Sequence, residues 1–256
     1  MRSITLKFML LAMLVTCARF SAASPAPDEP SSVDMNAMSV AELEKSGDQA
    51  RAQKDYVLAT RYFQTALRKD RKNATIYNKL GMVELRTDDW EGARLNFEKA
   101  AKLNPKFADA VNNVGAVAYR NKKYGNAAKY FKKAVALDET RATFHVNLGS
   151  AWFSQKKLDR AMAEYTRALE LDPEAFNANS RAGVVAQMNP DERAQYSYTL
   201  AKLYAKRGDL DNCLQCLKKA KEDGYRNMAN VYKDEEFSRM RDNPKLQEVV
   251  PPPVVK

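Results

Sequence analysis

From residue 40 onward the chain alternates short amphipathic bursts with polar breaks. In the stretch around residue 80, Tyr77, Leu80, Gly81 and Glu84 fall at i, i+3, i+4 and i+7, the spacing of one helical face. Thr87-Asp88-Asp89 then makes a polar turn that carries a helix-start signal, and Trp90 to Lys102 forms a second helix. Leu103-Asn104-Pro105 ends it, because proline lacks a donor and disfavours a helical residue before it. Upstream, Ser39-Val40-Ala41-Glu42 is a capping-box sequence that opens the first such pair. The pattern predicts helix-turn-helix pairs and no strands.

The pairs recur with one period. Gly47, Gly81, Gly115, Gly149 and Gly183 are each 34 residues apart. Ala59, Ala93, Ala127 and Ala161 keep that interval, as do Phe63, Phe97, Phe131 and Tyr165, and Ala66, Ala100, Ala134 and Ala168. Pro105 and Pro173 share one further column. We expect Gly81 to meet Ala93 where the two helices approach closely, with Phe97 filling the space beside that small pair. A single pair cannot bury its apolar face alone, so stacking supplies the core and about three units are needed.

The run Tyr77-x-x-Leu80-Gly81, Ala93-x-x-x-Phe97, Ala100, Pro105 resembles the tetratricopeptide repeat (TPR). The resemblance covers four regular units, 40–73, 74–107, 108–141 and 142–175. Departures are confined to Arg71 and Glu139 in the proline column and Ser46 in the leucine column. The resemblance implies an all-α solenoid, a right-handed superhelix whose concave groove is lined by first helices and binds peptide or protein segments.

Beyond 175 the register breaks. Phe176 to Met188 begins like another unit, and Asn189-Pro190-Asp191 stops it, so 176–193 is read as a remodelled half repeat. A divergent unit follows at 194–227, with Ala201, Tyr204, Leu210, Cys213, Leu217 and Ala220 in the signature columns. Residues 228–250 are expected to form short helices that cap the exposed apolar end, and 251–256 a disordered tail.

The N-terminus changes the picture of where the chain works. Met1-Arg2 and Lys7 precede a short apolar run, Phe8 to Ala18, and Ser21-Ala22-Ala23 offers small residues for cleavage. That run is too short to span a bilayer as a helix. We read 1–23 as a signal peptide followed by a Pro-rich linker over 24–38, and expect a periplasmic or secreted protein. The alternative is a lipoprotein anchored through Cys17, since Leu14-Val15-Thr16-Cys17 is similar to a lipobox, with Thr16 departing from the usual small residue. The net charge of +10 falls to +7 once Arg2, Lys7 and Arg19 are removed. Such a charge suits anionic partners or plain solubility. No aromatic-basic RNA signature is present, and we expect no nucleic-acid partner.

Chemistry is sparse. The single histidine, His145, falls in the column of Tyr77 and Val111 on the buried face, with no triad or metal partner spaced for it. No Gly-rich phosphate loop, Gly-x-Ser-x-Gly elbow or His-Glu-x-x-His run occurs. We therefore expect no enzyme, no cofactor and no metal. Cys213-Leu-Gln-Cys216 has redox spacing, yet Cys213 stands in the alanine column, where a small thiol substitutes for alanine. A disulfide between the two stays open. The run Arg68-Lys69-Asp70-Arg71-Lys72 is a basic knot, and Asn73-Ala74-Thr75 fits a glycosylation sequon.

What remains is a binding surface. Off the packed face, periodicity places Asn78, Met82, Leu85 and Arg86 in the second unit, Asn112, Asn113, Tyr119 and Arg120 in the third, and Asn147, Ser150 and Phe153 in the fourth. Amides bond main-chain groups, arginine pairs a carboxylate, and aromatics take an apolar anchor. The other reading is that Asn113 and Asn147 satisfy neighbouring groups while Tyr119 and Phe153 pack on the next unit. The carboxylate clamp of chaperone-binding TPR domains does not fit: of Asn78, Met82, Asn113, Thr143 and Asn147 only Asn113 agrees, and Glu44 and Asp48 stand where Lys and Asn belong. The primary expectation is an exported peptide-binding scaffold; the alternative is an envelope-associated protein that holds anionic surfaces through its charge.

Overall fold

A computed structural model describes residues 34–176 and 188–253. The expected signal segment with Cys17, most of the expected linker, residues 177–187 of the expected half repeat with Gly183, and the end of the tail lie outside the described residues. Helices α1 (Val40–Ala52) and α2 (Tyr56–Lys69), α3 (Ala74–Arg86) and α4 (Trp90–Leu103), α5 (Ala108–Arg120) and α6 (Tyr124–Leu137), and α7 (Ala142–Ser154) and α8 (Leu158–Leu171) form four consecutive antiparallel pairs. A fifth pair, α9 (Pro190–Arg207) and α10 (Leu210–Glu222), is followed by two short 3₁₀ turns and α11 (Pro244–Val249). Each second helix also packs on the first helix of the next pair. Among the described residues no strand occurs, and no helix is long and apolar enough to cross a membrane.

The hairpins close in one way. A Cβ added to Gly81 would sit 2.7 Å from Cε1 of Phe97, and one on Gly115 would sit 2.7 Å from Cε1 of Phe131. Gly47 stands in the same relation to Phe63, and Gly149 to Tyr165. The ring therefore takes the volume that the glycine leaves open, as expected of Phe97. Ala93 is itself fully buried, so both columns serve the same close approach.

The turns share a second device. Lys54, Asp88, Lys122 and Lys156, 34 residues apart, all have φ between 56° and 64°. At each of these turns the next residue's N–H reaches back five residues, as in Asp55 N to Ala50 O at 2.9 Å and Lys123 N to Ala118 O at 2.9 Å. This is a Schellman closure, which needs the left-handed region just past the helix end. The fifth hairpin uses Gly208 there (φ 80°), with Asp209 N bonded to Tyr204 O at 3.0 Å. At the other end of each pair, Asp70, Asn104, Asp138 and Asp172 accept from the backbone N–H two residues on. This Asx turn stands in a 34-residue column that holds whether or not proline follows.

Asn189-Pro190-Asp191 starts a helix. Asn189 accepts from Glu192 N at 2.9 Å while Glu192 accepts from Asn189 N, a full capping box with proline at the first helical position. The fifth unit thus opens at Pro190, ahead of the expected 194. Cys213 is fully buried in the alanine column of this pair, and burial pushes its thiol up to about 12. No disulfide joins it to Cys216. The C-terminal segment covers the last pair: Val231, Phe237 and Leu246 are fully buried. Tyr198 stacks on Tyr225 with ring centroids 4.2 Å apart and donates to Asp234 at 2.9 Å. Lys202 bridges Asp234 and Glu236, and the Tyr232 hydroxyl donates to the Val250 carbonyl at 2.6 Å. The single histidine is a packed residue, its Nδ1 2.7 Å from Glu164 and its Nε2 3.2 Å from the Glu139 carbonyl.

Two pairs of substitutions test this account of the fold. Helix propensity favours alanine over glycine by about 1 kcal/mol, but at Gly81 overpacking against Phe97 costs about 1–3 kcal/mol. Gly81→Ala is therefore expected to lower the unfolding midpoint, whereas Gly125→Ala, with nothing within 4 Å of its added Cβ, raises it. At the turns, Gly208→Ala is expected to lose about 1 kcal/mol and Lys122→Gly to gain up to ~1 kcal/mol, both read from denaturant melts.

Candidate functional site

The first helices of successive pairs are joined side chain to side chain. Asn113 on α5 donates to Asn78 on α3 at 2.9 Å, and Asn147 on α7 donates to Asn112 on α5 at 2.9 Å. Asn112 and Asn113 lie 3.5 Å apart at their amides, which closes a four-amide ladder over three helices. Asn78 is buried at its foot, while Asn112, Asn113 and Asn147 are partly exposed. A primary amide offers two donor hydrogens and two lone pairs, and each ladder bond uses one of each kind. The ladder therefore orients its amides without exhausting them.

Toward the N-terminal end the stripe becomes charged. Lys79 on α3 bonds Glu44 at 2.6 Å and Asp48 at 2.5 Å, both on α1. Burial alone would lower the Lys79 ammonium, but Asp48 and Glu44 together hold it above the usual lysine range. These acids, out of place for a carboxylate clamp, are thus already engaged by a lysine that the sequence reading did not single out. Its signal was present: Lys79 stands 35 residues after Glu44, the same step as Asn78 to Asn113 and Asn112 to Asn147.

The other expected site residues divide. Arg86 and Met82 are exposed on α3, and Leu85 is half-buried against the cluster of Ala93, Phe97, Val114 and Val117. Arg120 is exposed but lies over the Trp90 ring, 3.4 Å from its centroid, so one face of its guanidinium is taken. Tyr119 and Phe153 do not line a surface. Tyr119 is buried, with its hydroxyl 2.7 Å from the Ser154 hydroxyl and its ring 5.0 Å from that of Tyr124. Burial raises its phenol well above the ordinary range. Phe153 is 1% exposed and packs edge-on against Tyr196 of α9 at 5.7 Å. Ser150 is also buried and returns its hydroxyl hydrogen to the Val146 carbonyl. One aromatic was missed: Trp152 on α7 is partly exposed, with Lys157 and Arg160 over its ring.

The arrangement holds polar groups that can bond a main chain or an amide, flanked by an ion-pair cluster. Among the described residues no group of three or more His, Cys, Asp and Glu could hold a metal ion.

Comparison with known proteins agrees with the architecture. The chain resembles, in structure, MamA from Desulfovibrio magneticus RS-1 (20% identity, 72% of this chain and 93% of that one, TM-score 0.52). It also resembles PilF of Pseudomonas aeruginosa (16%, 78% and 80%, TM-score 0.53). A third similar structure is YrrB, described as a TPR protein with an unusual peptide-binding site (20%, 75% and 89%, TM-score 0.50). At these identities the likeness speaks for the fold alone. No curated protein matches. Tetratricopeptide-repeat family models match residues 45–95 and 78–142, 118–182, and 194–222. With the paired helices, the glycine–aromatic closures and these matches together, the chain belongs to the tetratricopeptide repeat family.

Proposed function

We propose that this TPR protein is a non-enzymatic scaffold that binds an extended peptide or a segment of a partner protein along its first helices. The observation that carries this reading is the amide ladder from Asn78 through Asn113 and Asn112 to Asn147, three of whose members remain partly exposed. Amides already oriented by one another lose little freedom on meeting a ligand, so each further hydrogen bond to a main chain is made at a low ordering cost. Arg86, exposed on the same helix as Asn78, adds a cation for a carboxylate of the partner. The peptide-binding site named for YrrB supports the reading by analogy of fold. The site is built from Asn78, Arg86, Asn112, Asn113 and Asn147. The N-terminal segment supports export, with cleavage after Ala23.

Two experiments test these readings. Peptides selected from a random library against the full chain are expected to lose at least about tenfold in affinity for the Asn112→Ala/Asn147→Ala double variant, since two or three hydrogen bonds of ~0.5–1.5 kcal/mol each are removed. Changing both partners of the Asn147–Asn112 bond together frees only the amide oxygen of the partly exposed Asn113, which water can meet, so the circular dichroism spectrum should be unchanged. Equal affinity for the variant would sink the groove reading. For export, protein recovered outside the cytoplasm should begin at Ser24 by mass spectrometry; an intact Met1 end or a lipid-modified Cys17 would overturn the cleavage.

A further inference from the structure

The exposed face of α6 differs from those of α4 and α8. Residues 122–137 carry Lys122, Lys123, Lys129, Lys132 and Lys133 and no acidic residue. On α4, Glu91 and Glu98 both hold Arg94, at 2.5 and 2.8 Å, and α8 mixes Asp159, Glu164 and Glu170 among its cations. The acid that follows α6, Asp138, is held by Arg141 and Thr140. None of the five lysines takes part in an ion pair among the described residues, and all five are exposed.

Two apolar side chains share that face. Lys129, Tyr130, Lys133 and Leu137 follow at i, i+1, i+4 and i+8, which sets them on one side of the helix. Tyr130 and Leu137 are each 36% exposed, while Ala127, Phe131 and Ala134 on the opposite side are fully buried. One repeat earlier, α4 places Leu95, 53% exposed, and the exposed Lys99 at the positions of Lys129 and Lys133.

We infer that this face, centred on Lys129, Lys132 and Lys133, docks the protein on an anionic phospholipid surface. Charge complementarity carries the choice of occupant, and the residue types refine it. Lysine is a compact, flexible point charge suited to the diffuse field of headgroups, whereas planar bidentate recognition of individual carboxylates favours arginine. A tyrosine and a leucine beside the lysines supply side chains that enter the headgroup boundary while the lysine stems lie along it. An acidic protein would be met by the same charges, but protein interfaces are depleted in lysine, whereas five exposed lysines around two small apolar contacts suit a charged lipid surface. The surface is separate from the amide ladder on the first helices, so both can be occupied together.

The test is co-sedimentation of the full chain with vesicles of phosphatidylcholine alone or mixed with phosphatidylglycerol, at low and high salt. The variant Lys129→Gln/Lys132→Gln/Lys133→Gln keeps helix propensity nearly constant on an exposed face, so folding is preserved. Phosphatidylglycerol binding is expected to weaken at least about tenfold in the variant and to fall with salt in the wild type. Tyr130→Ser should give a smaller loss. Binding to phosphatidylcholine alone reports contact that does not depend on charge and should be weak and equal for both proteins. Unchanged phosphatidylglycerol binding in the triple variant would overturn the proposal. So would wild-type protein that ignores phosphatidylglycerol vesicles but binds polyglutamate in a lysine-dependent way, which would assign the face to an acidic protein.

Discussion

An aromatic ring lying where a side chain is missing governs this molecule. At each of the four regular hairpins a Phe or Tyr on the second helix occupies the volume that a Cβ would take on the first, at Gly47, Gly81, Gly115 and Gly149. The contact brings the two helices close and fixes their rotation about each other, because a ring fits only one way against a bare backbone. Protein interiors are packed closely enough that such a contact does not slide. With the Schellman turn at one end and the Asx turn at the other, each of the four regular hairpins is built to the same length.

Identical hairpins put residues one repeat apart beside each other, and that is how a candidate site arises from repetition. A 34-residue step returns a side chain to the same face, and a 35-residue step reaches across to the neighbouring helix. Asn78 to Asn113, Asn112 to Asn147, Glu44 to Lys79 and Tyr119 to Ser154 are all 35 apart and all hydrogen-bonded or ion-paired. The stripe along the first helices is thus a consequence of the register, and only the residue types written into it vary. Amides in its middle and charges at its start give a surface with polarity along its length, suited to a ligand that lies along the helices.

Much of the fold was legible because the glycine, alanine and aromatic columns are filled by types that packing demands. The site was less so. A single helix's periodicity separates its inner from its outer side, but Phe153 has its exposed side covered by Tyr196, from a helix whose register the repeat does not predict. Tyr119 was placed outward for the same reason, although Ser154 one repeat on takes its hydroxyl. The lysines at positive φ carry no compositional sign of their conformation, since lysine there is chosen against its own preference. Asn189-Pro190 was ambiguous in a physical sense: proline that ends one helix also begins another, and only Glu192 three residues beyond the cap marks the second case. The ladder itself needed no structure once the 35-residue step was considered alongside the 34-residue one.

The division of the surface follows from the division of the core. First helices are packed by their own partner and by the preceding second helix and are also bonded to one another, through Lys79–Glu44, Asn113–Asn78 and Asn147–Asn112, so the side chains of their remaining strip satisfy one another. Second helices keep a broader exposed arc, free of such obligations, and there like charges accumulate without penalty beyond weak mutual repulsion in water. On α4 that arc closes internal ion pairs, with Arg94 held between Glu91 and Glu98, whereas on α6 it leaves five lysines facing solvent. The same solenoid thereby carries a self-bonded polar strip on its first helices and, on α6, a cationic face without ion pairs among the described residues. The proposed peptide site lies on the first kind of surface and the proposed lipid contact on the second.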